Sequence, residues 1–412
     1  MRLALLLMSI SLFGQTPLAE RPGVRRALEL LEQRHEAHIA KQIEIAQIPS
    51  PGWEEKERAE FMRGEFRKLN LKRVEIDGIG NVLGWRPGKS PRTIVISAHL
   101  DTVFPRTTDV KVKKQGNRLL GPGLVDDSRG LLALLALAEA LDAGKIETNH
   151  TLLFVGDVGE EGLGNLRGSR YLVSEGPHQQ LFDAFISIDG AEPERIVNAE
   201  LGSRRFRVTV KGPGGHSYNA FGTGNPAHAL GRIMAKISDL VVPEKPRTTF
   251  SIGKIGGGTA INAIPEEAWF EIDMRSSEES ELERMEASLM ATVKQCVEEE
   301  NKLHVRRGAP LTAEPKRLAL RQAFPRSANE PMLAAARAAA QALGMKPVVL
   351  ETASTDSNAA MAAGLPAMTI GGGGKAGGIH SMAEWFEPEG AYRGLQQALL
   401  LILGYDEKPH AK

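Results

Sequence analysis

The chain has 412 residues, 42% of them hydrophobic and 25% charged, an ordinary globular composition and too long for one core when domains run at roughly 150 residues. Its 51 basic and 51 acidic side chains balance to zero net charge, so no overall field draws it to nucleic acid or anionic lipid. The single cysteine, Cys296, excludes an internal disulfide and a multi-cysteine zinc site, which leaves His, Asp and Glu as ligands for any metal.

Arg2 precedes an apolar run at 3–13, followed by small and polar residues. That run is about half the length of a membrane span and fits the core of a secretory leader. We therefore expect a signal peptide at 1–19 and an exported protein, periplasmic or secreted, with no membrane contact after leader removal. A charged helical pattern at 24–48 is broken by Pro49, Pro51 and Gly52. Short apolar runs then alternate with helical ones: "TIVISAH", "GLLALLALAEAL", "TLLFVGD" and "AFISIDG". This rhythm predicts an α/β fold with a mostly parallel twisted sheet and helices on both faces, whose ligands gather at the carboxyl ends of the strands.

The rhythm changes near Leu201. "RRFRVTVKG", "TTFSIGKIGG", "EEAWFEIDMR" and "LHVRR" read as strands, with helices at "NPAHALGRIMAKISDL" and "SEESELERMEASLMATVKQCVEEEN". The order β-α-β-β-α-β is that of a small α+β sandwich. Gly202 and the 310–325 stretch read as hinges, and a helix at 329–343 and the strand "LPAMTI" resume the first style. The expected organisation is a catalytic domain at 20–201 and 313–412 with a lid and dimerisation domain at 202–312 inserted into it.

In "ISAHLDTVFP", His99 and Asp101 lie two apart where a strand ends, and so point the same way. A histidine bonded to a nearby carboxylate would explain that pair alone. Four more stretches put acids or imidazole near strand ends: Asp126 and Asp127 in "GPGLVDDSRG", Glu160 and Glu161 in "LLFVGDVGEEGLG", Asp189 in "FISIDG", and His380 in "GGGGKAGGIHSMAEWF". Singly, each has a plain explanation: a helix cap for Asp126, a surface pair for the two Glu, a turn for Asp189, a loop for His380. Jointly, so many carboxylates at one sheet edge cost several kcal/mol unless cations neutralise them. Imidazole and carboxylate donors suit Zn, Co or Mn, and a carboxylate can bridge two ions. The economical reading is a site for two divalent metals, with His99 a ligand oriented by Asp101.

The stretches "SAHLDTV", "GPGLVDD", "GEEG", "IDG" and "GIHSMAE" resemble, in this order, the motifs of the co-catalytic metallopeptidases that include peptidase T, glutamate carboxypeptidase, aminoacylase and succinyl-diaminopimelate desuccinylase. The resemblance implies that Asp126 bridges two zinc ions, with His99 and Asp189 completing one site and Glu161 and His380 the other. It further implies Glu160 as general base, Asp101 as support for His99, and a cis peptide bond after Asp126. His216 in "GPGGHSYNAFG" would stabilise the oxyanion, commonly from the partner subunit of a homodimer formed through the lid. Asn262 in "GGGTAINAIP" and Arg275 in "EIDMRSS" would hold the substrate's carboxylate or nearby backbone, and Asp356 in "STDSN" matches a further motif near the substrate. Asp189, rather than Glu, favours exopeptidase action on short peptides. An N-acyl-amino-acid amidohydrolase uses the same site, and a non-catalytic peptide- or metal-binding protein on this fold is the remaining alternative.

Overall fold

The computed structural model describes residues 16–326 and 330–408; the apolar run at 3–13, read above as the core of a leader at 1–19, lies outside them. Among the described residues no helix is long and apolar enough to cross a membrane. The pattern at 24–48 forms two helices rather than one, Pro22–Gln33 and His35–Ala46, parted at Arg34. In the first, Val24, Ala27, Leu28 and Leu31 make the buried stripe that three- and four-residue spacing dictates.

The main sheet has eight strands, in the spatial order Lys72–Ile76, Val82–Arg86, His150–Asp157, Ser90–His99, Phe182–Ile188, Ala367–Ile370, Arg195–Glu200 and Val349–Ala353. The four strands from His150–Asp157 to Ala367–Ile370 run parallel. Antiparallel neighbours flank them on both sides. Side chains alternate between two cores: Ile94 and Ile96 pack with Leu131 and Leu134 on one face, Val95 with Leu172 and Ala359 on the other. Period-two alternation along a strand covered on both sides produces this split. The helix Ser128–Ala143 is apolar almost all round and lies between the sheet and the N-terminal helices, burying Leu131, Leu132, Leu134 and Leu137.

Between Glu200 and Val349 the chain builds a second sheet. Its antiparallel order is Thr248–Gly257, Glu267–Ser276, Gly202–Lys211 and Thr312–Arg321. Helices Pro226–Ser238 and Glu279–His304 cover it through Leu230, Ile233, Leu282, Met285 and Leu289. The closing strand of this unit is not at the expected "LHVRR". "LHVRR" finishes the helix Glu279–His304 and enters a loop, and the closing strand is Thr312–Arg321. Residues 312–321 of the stretch read as a hinge are therefore part of the second sheet, which continues past residue 312 to Arg321. Pro315 is accommodated because this strand lies at the sheet edge, where a missing N–H costs little.

Gly130, in the first turn of the helix Ser128–Ala143, joins that helix to the strand edge. A Cβ there would overlap the Ile188 carbonyl oxygen and the Asp127 carboxylate. Gly130→Ala is expected to cost about 1–3 kcal/mol, the usual range for overpacking, read as a lowered denaturant midpoint. Because Ile188 precedes Asp189, the variant is also expected to bind Zn2+ more weakly in calorimetric titration.

Candidate metal centre

Because three parallel strands end together, their following residues share one edge. His99 closes the strand Ser90–His99, Asp189 follows Phe182–Ile188, and Glu160 and Glu161 lie just beyond His150–Asp157. Asp126 and Asp127 precede the helix Ser128–Ala143, joined by a cis peptide bond. The capping role left open for Asp126 falls to Asp127, whose carboxylate accepts from the Gly130 N–H at 2.9 Å and from the His99 N–H at 3.1 Å. Asp126 is thereby left to face the site. Its Oδ1 lies 2.9 Å from His99 Nε2 and its Oδ2 2.9 Å from His380 Nε2. His380 Nε2 is also 2.8 Å from Glu161 Oε1.

The five expected ligands converge as two groups sharing Asp126: His99, Asp126 and Asp189, and Asp126, Glu161 and His380. Within each group the donor atoms lie inside 4.8 Å of one another. Imidazole and carboxylate donors at such spacing fit divalent ions bound at about 2.0–2.2 Å. Glu160 lies beside them in a third group with His99 and Glu161.

Electrostatics in the metal-free protein point the same way. Hydrogen bonds to Asp126 and Glu161 push the His380 imidazole up to about 11. His99 is also raised well above its ordinary value: burial opposes its charge, but Asp101 and Asp126 outweigh burial. Burial pushes Glu161 up to about 7, and burial with the Asp126 charge pushes Asp189 up to about 6. Asp126 moves down despite its burial, held by the two imidazoles. Protons thus do part of the neutralising that cations would do when bound.

Asp101, expected to support His99, lies against its Nδ1 through the backbone carbonyl at 3.0 Å, with the carboxylate at 3.6 Å; other supporting roles escaped the sequence reading. The Asp101 carboxylate accepts from the N–H groups of Glu160 and Glu161, both at 2.9 Å. Glu384 does the same for the Asp126 loop, accepting from Gly123 at 3.0 Å and Val125 at 2.7 Å. Its place four residues after His380 was the only clue to it. Arg58, fully buried and giving no sequence signal, donates to the carbonyls of Leu100 and Ile48. Arg129 donates to Gly372 and Ala391 and so anchors the Gly-rich stretch leading to His380.

The second unit's expected residues lie apart from these groups. His216 and Asn262 adjoin one another across a short ladder and line a common cavity, and His216 joins none of the described ligand groups. Arg275 is held by Asp273 at 2.7 Å, and Asp273 also accepts from Arg205, which reaches the Gly162 carbonyl. Asp356 is buried and accepts from the Ser169 hydroxyl, an interior support rather than an open contact.

An α/β sheet with a four-stranded, two-helix insertion, and a carboxylate shared by two candidate ligand groups, defines a class of two-unit proteins with donors placed for a pair of divalent ions. Residues 95–403 match Peptidase family M20/M25/M40, and the chain belongs to that family. It is 27% identical over 239 residues to succinyl-diaminopimelate desuccinylase of Corynebacterium glutamicum, covering 56% of this chain and 64% of the relative. Over 270 residues it is 24% identical to carboxypeptidase G2 of a Pseudomonas strain, covering 61% of this chain and 62% of that one. The match thus spans just under two thirds of each relative's length. The fold is that of a Staphylococcus aureus tripeptidase, with a TM-score of 0.73 at 20% identity over 91% of this chain and 99% of the other.

Ligation needs neutral imidazoles and ionised carboxylates. With His380 near 11 and Glu161 near 7 in the metal-free protein, metal entry must expel protons. Affinity for Zn2+ is therefore expected to rise from pH 5.5 to 8. Calorimetric heats should differ between buffers of different ionisation enthalpy, and identical heats would contradict the protonated imidazoles. Asp126→Ala is expected to abolish uptake of both equivalents and His380→Ala of one, measured by elemental analysis after dialysis.

Proposed function

We propose that this chain is a metal-dependent hydrolase that cleaves amide bonds of short peptides as an exopeptidase, with Glu160 as general base. The observation that carries the reading is Asp126, which turns one carboxylate oxygen to His99 and the other to His380. That arrangement supports two ions, one held by His99, Asp126 and Asp189, the other by Asp126, Glu161 and His380, with Zn the natural choice and Co or Mn able to replace it. When bound, such a pair lowers the pKa of water and polarises a carbonyl.

The chain's own groups supply the rest. Glu160 Oε1 is engaged at 2.8 Å by Arg321, which leaves Oε2 to take a proton from the attacking water and return it to the leaving amine. Glu161, turned to His380, belongs to the ligand set, which explains why adjacent glutamates differ in role. Arg275 offers a guanidinium fork suited to a substrate carboxylate.

The substrate reading draws on the tripeptidase fold and on Asp189. Deacylation of N-acyl amino acids is the second reading, favoured by the similarity to a desuccinylase. A homodimer through the second unit belongs to the same proposal: His216 stands outside the ligand groups, and Tyr218, Phe221 and Ile261 beside the His216 and Asn262 loops are all well exposed. In that assembly His216 would serve the partner's site.

Cleavage of free-amine di- and tripeptides against their N-acetylated counterparts, followed by mass spectrometry with Zn2+ and with a chelator, tests the reading. Chelator-sensitive cleavage of the free-amine set is expected; cleavage of the acetylated set alone would move the chain to the deacylases. Glu160→Gln is expected to lower kcat by about 10²–10⁴-fold, the usual worth of a general base, while the metal content stays unchanged. A variant that keeps full turnover would remove Glu160 from the chemistry.

A further inference from the structure

Glu160 does not stand free beside the ligands. Arg321 Nη1 donates to Glu160 Oε1 at 2.8 Å, and Nη2 donates to the Glu160 carbonyl oxygen. The same Nη1 reaches Ser354 Oγ at 2.9 Å. Arg321 is 6% exposed and Glu160 likewise 6%, so this ion pair is withdrawn from water on both sides.

Arg321 is the last residue of the strand Thr312–Arg321, where it pairs with Ser203 in the second sheet. The chain around it is bound to the main unit at several points. Leu320 donates its N–H to Asn165 Oδ1 at 3.2 Å and accepts from Arg170 at 3.3 Å, and the Gln322 carbonyl accepts from Asn358 at 2.9 Å. The strand returning from the second unit is thus fastened to the loop and helix that follow Glu160.

We propose that Arg321 is the positioning residue of Glu160: it holds Oε1 and the backbone of residue 160 with one guanidinium, so that only Oε2 is presented to the reaction. Without it, a glutamate beside Glu161, Asp126 and Asp189 would be pushed away from those like charges into other rotamers. A planar fork suits this double contact and a single ammonium does not. Because Arg321 belongs to the second unit's edge strand, the placement of the base depends on the seating of that unit. The proposal rests on Glu160 being the base.

The test uses the full-length Zn2+-loaded chain with its best peptide substrate, comparing wild type, Glu160→Gln, Arg321→Ala and Arg321→Lys. Arg321→Ala is expected to lower kcat by about 10²-fold, the loss typical of a misplaced catalytic group, with KM within about two-fold and the metal content unchanged. Millimolar guanidinium should restore part of that kcat and do nothing for Glu160→Gln, and Arg321→Lys should remain impaired.

A raised KM with unchanged kcat would instead make Arg321 a substrate-carboxylate contact and overturn the proposal. So would wild-type kcat in Arg321→Lys, which decides the matter if the alanine variant does not fold. If Glu160→Gln keeps full turnover, the reading of Glu160 fails first, and this is seen without the Arg321 variants. For a chain with no measurable turnover, melting temperatures of the metal-free single and double variants still decide the pairing. Losses that fall short of additivity support it, and additive losses overturn it.

Discussion

The structure is organised around one electrostatic problem, the gathering of carboxylates at a single edge of a buried sheet. Asp101, Asp127, Asp157, Glu160, Asp356 and Glu384 are all buried there, and an unpaired buried carboxylate costs several kcal/mol. Each is handled by a specific partner. Backbone N–H groups of the ligand-bearing loops satisfy Asp101, Asp127 and Glu384. Arg321 pairs with Glu160 and the Ser169 hydroxyl with Asp356, while the Ser97 hydroxyl meets Oδ2 of Asp157 and leaves its buried Oδ1 without a hydrogen-bond partner. Asp126, Asp189 and Glu161 remain, facing two imidazoles, which is the arrangement divalent cations complete.

The same bonds that quiet these charges also set the geometry. Asp127 ties the start of the helix Ser128–Ala143 to the His99 backbone, so the loop holding Asp126 cannot drift from the strand holding His99. Asp101 fixes the turn carrying Glu160 and Glu161, and Glu384 fixes the turn carrying Asp126. Two buried arginines complete the frame from behind, Arg58 through the Leu100 carbonyl and Arg129 through the Gly-rich stretch. Burial alone lowers Arg129 to about 9, whereas Arg58, lowered by burial to about 10, is partly supported by the charges of Asp101 and Asp127.

The convergence of these acids and imidazoles was legible because their signals are local: an acid or imidazole at the end of an apolar run announces a strand end, and parallel strands end together. The supporting residues were not, because their partners are distant backbone groups. Arg58 meets Leu100 from 42 residues away, and Glu384 meets Val125 from 259. The missed strand Thr312–Arg321 has a related cause. An edge strand with one neighbour tolerates Pro315 and carries Glu314, Lys316 and Arg317, so the apolar alternation that marks a strand is faint. "LHVRR" showed more of that alternation, yet its first residues continue the helix Glu279–His304, with no breaker before Gly308 and Pro310.

By itself the sequence determined the α/β class, the insertion of a second α+β unit, and which acids and imidazoles come together at one sheet edge. Each of these depends on periodicity or on short motifs in which neighbouring residues speak for one another. Only the tertiary structure decided that Asp127 rather than Asp126 caps the helix, that Asp101 serves the glutamate turn, and that Arg321 grips Glu160 from the second sheet. Those assignments depend on which buried donor finds which acceptor across long stretches of chain, and that pairing is fixed only when both units are packed.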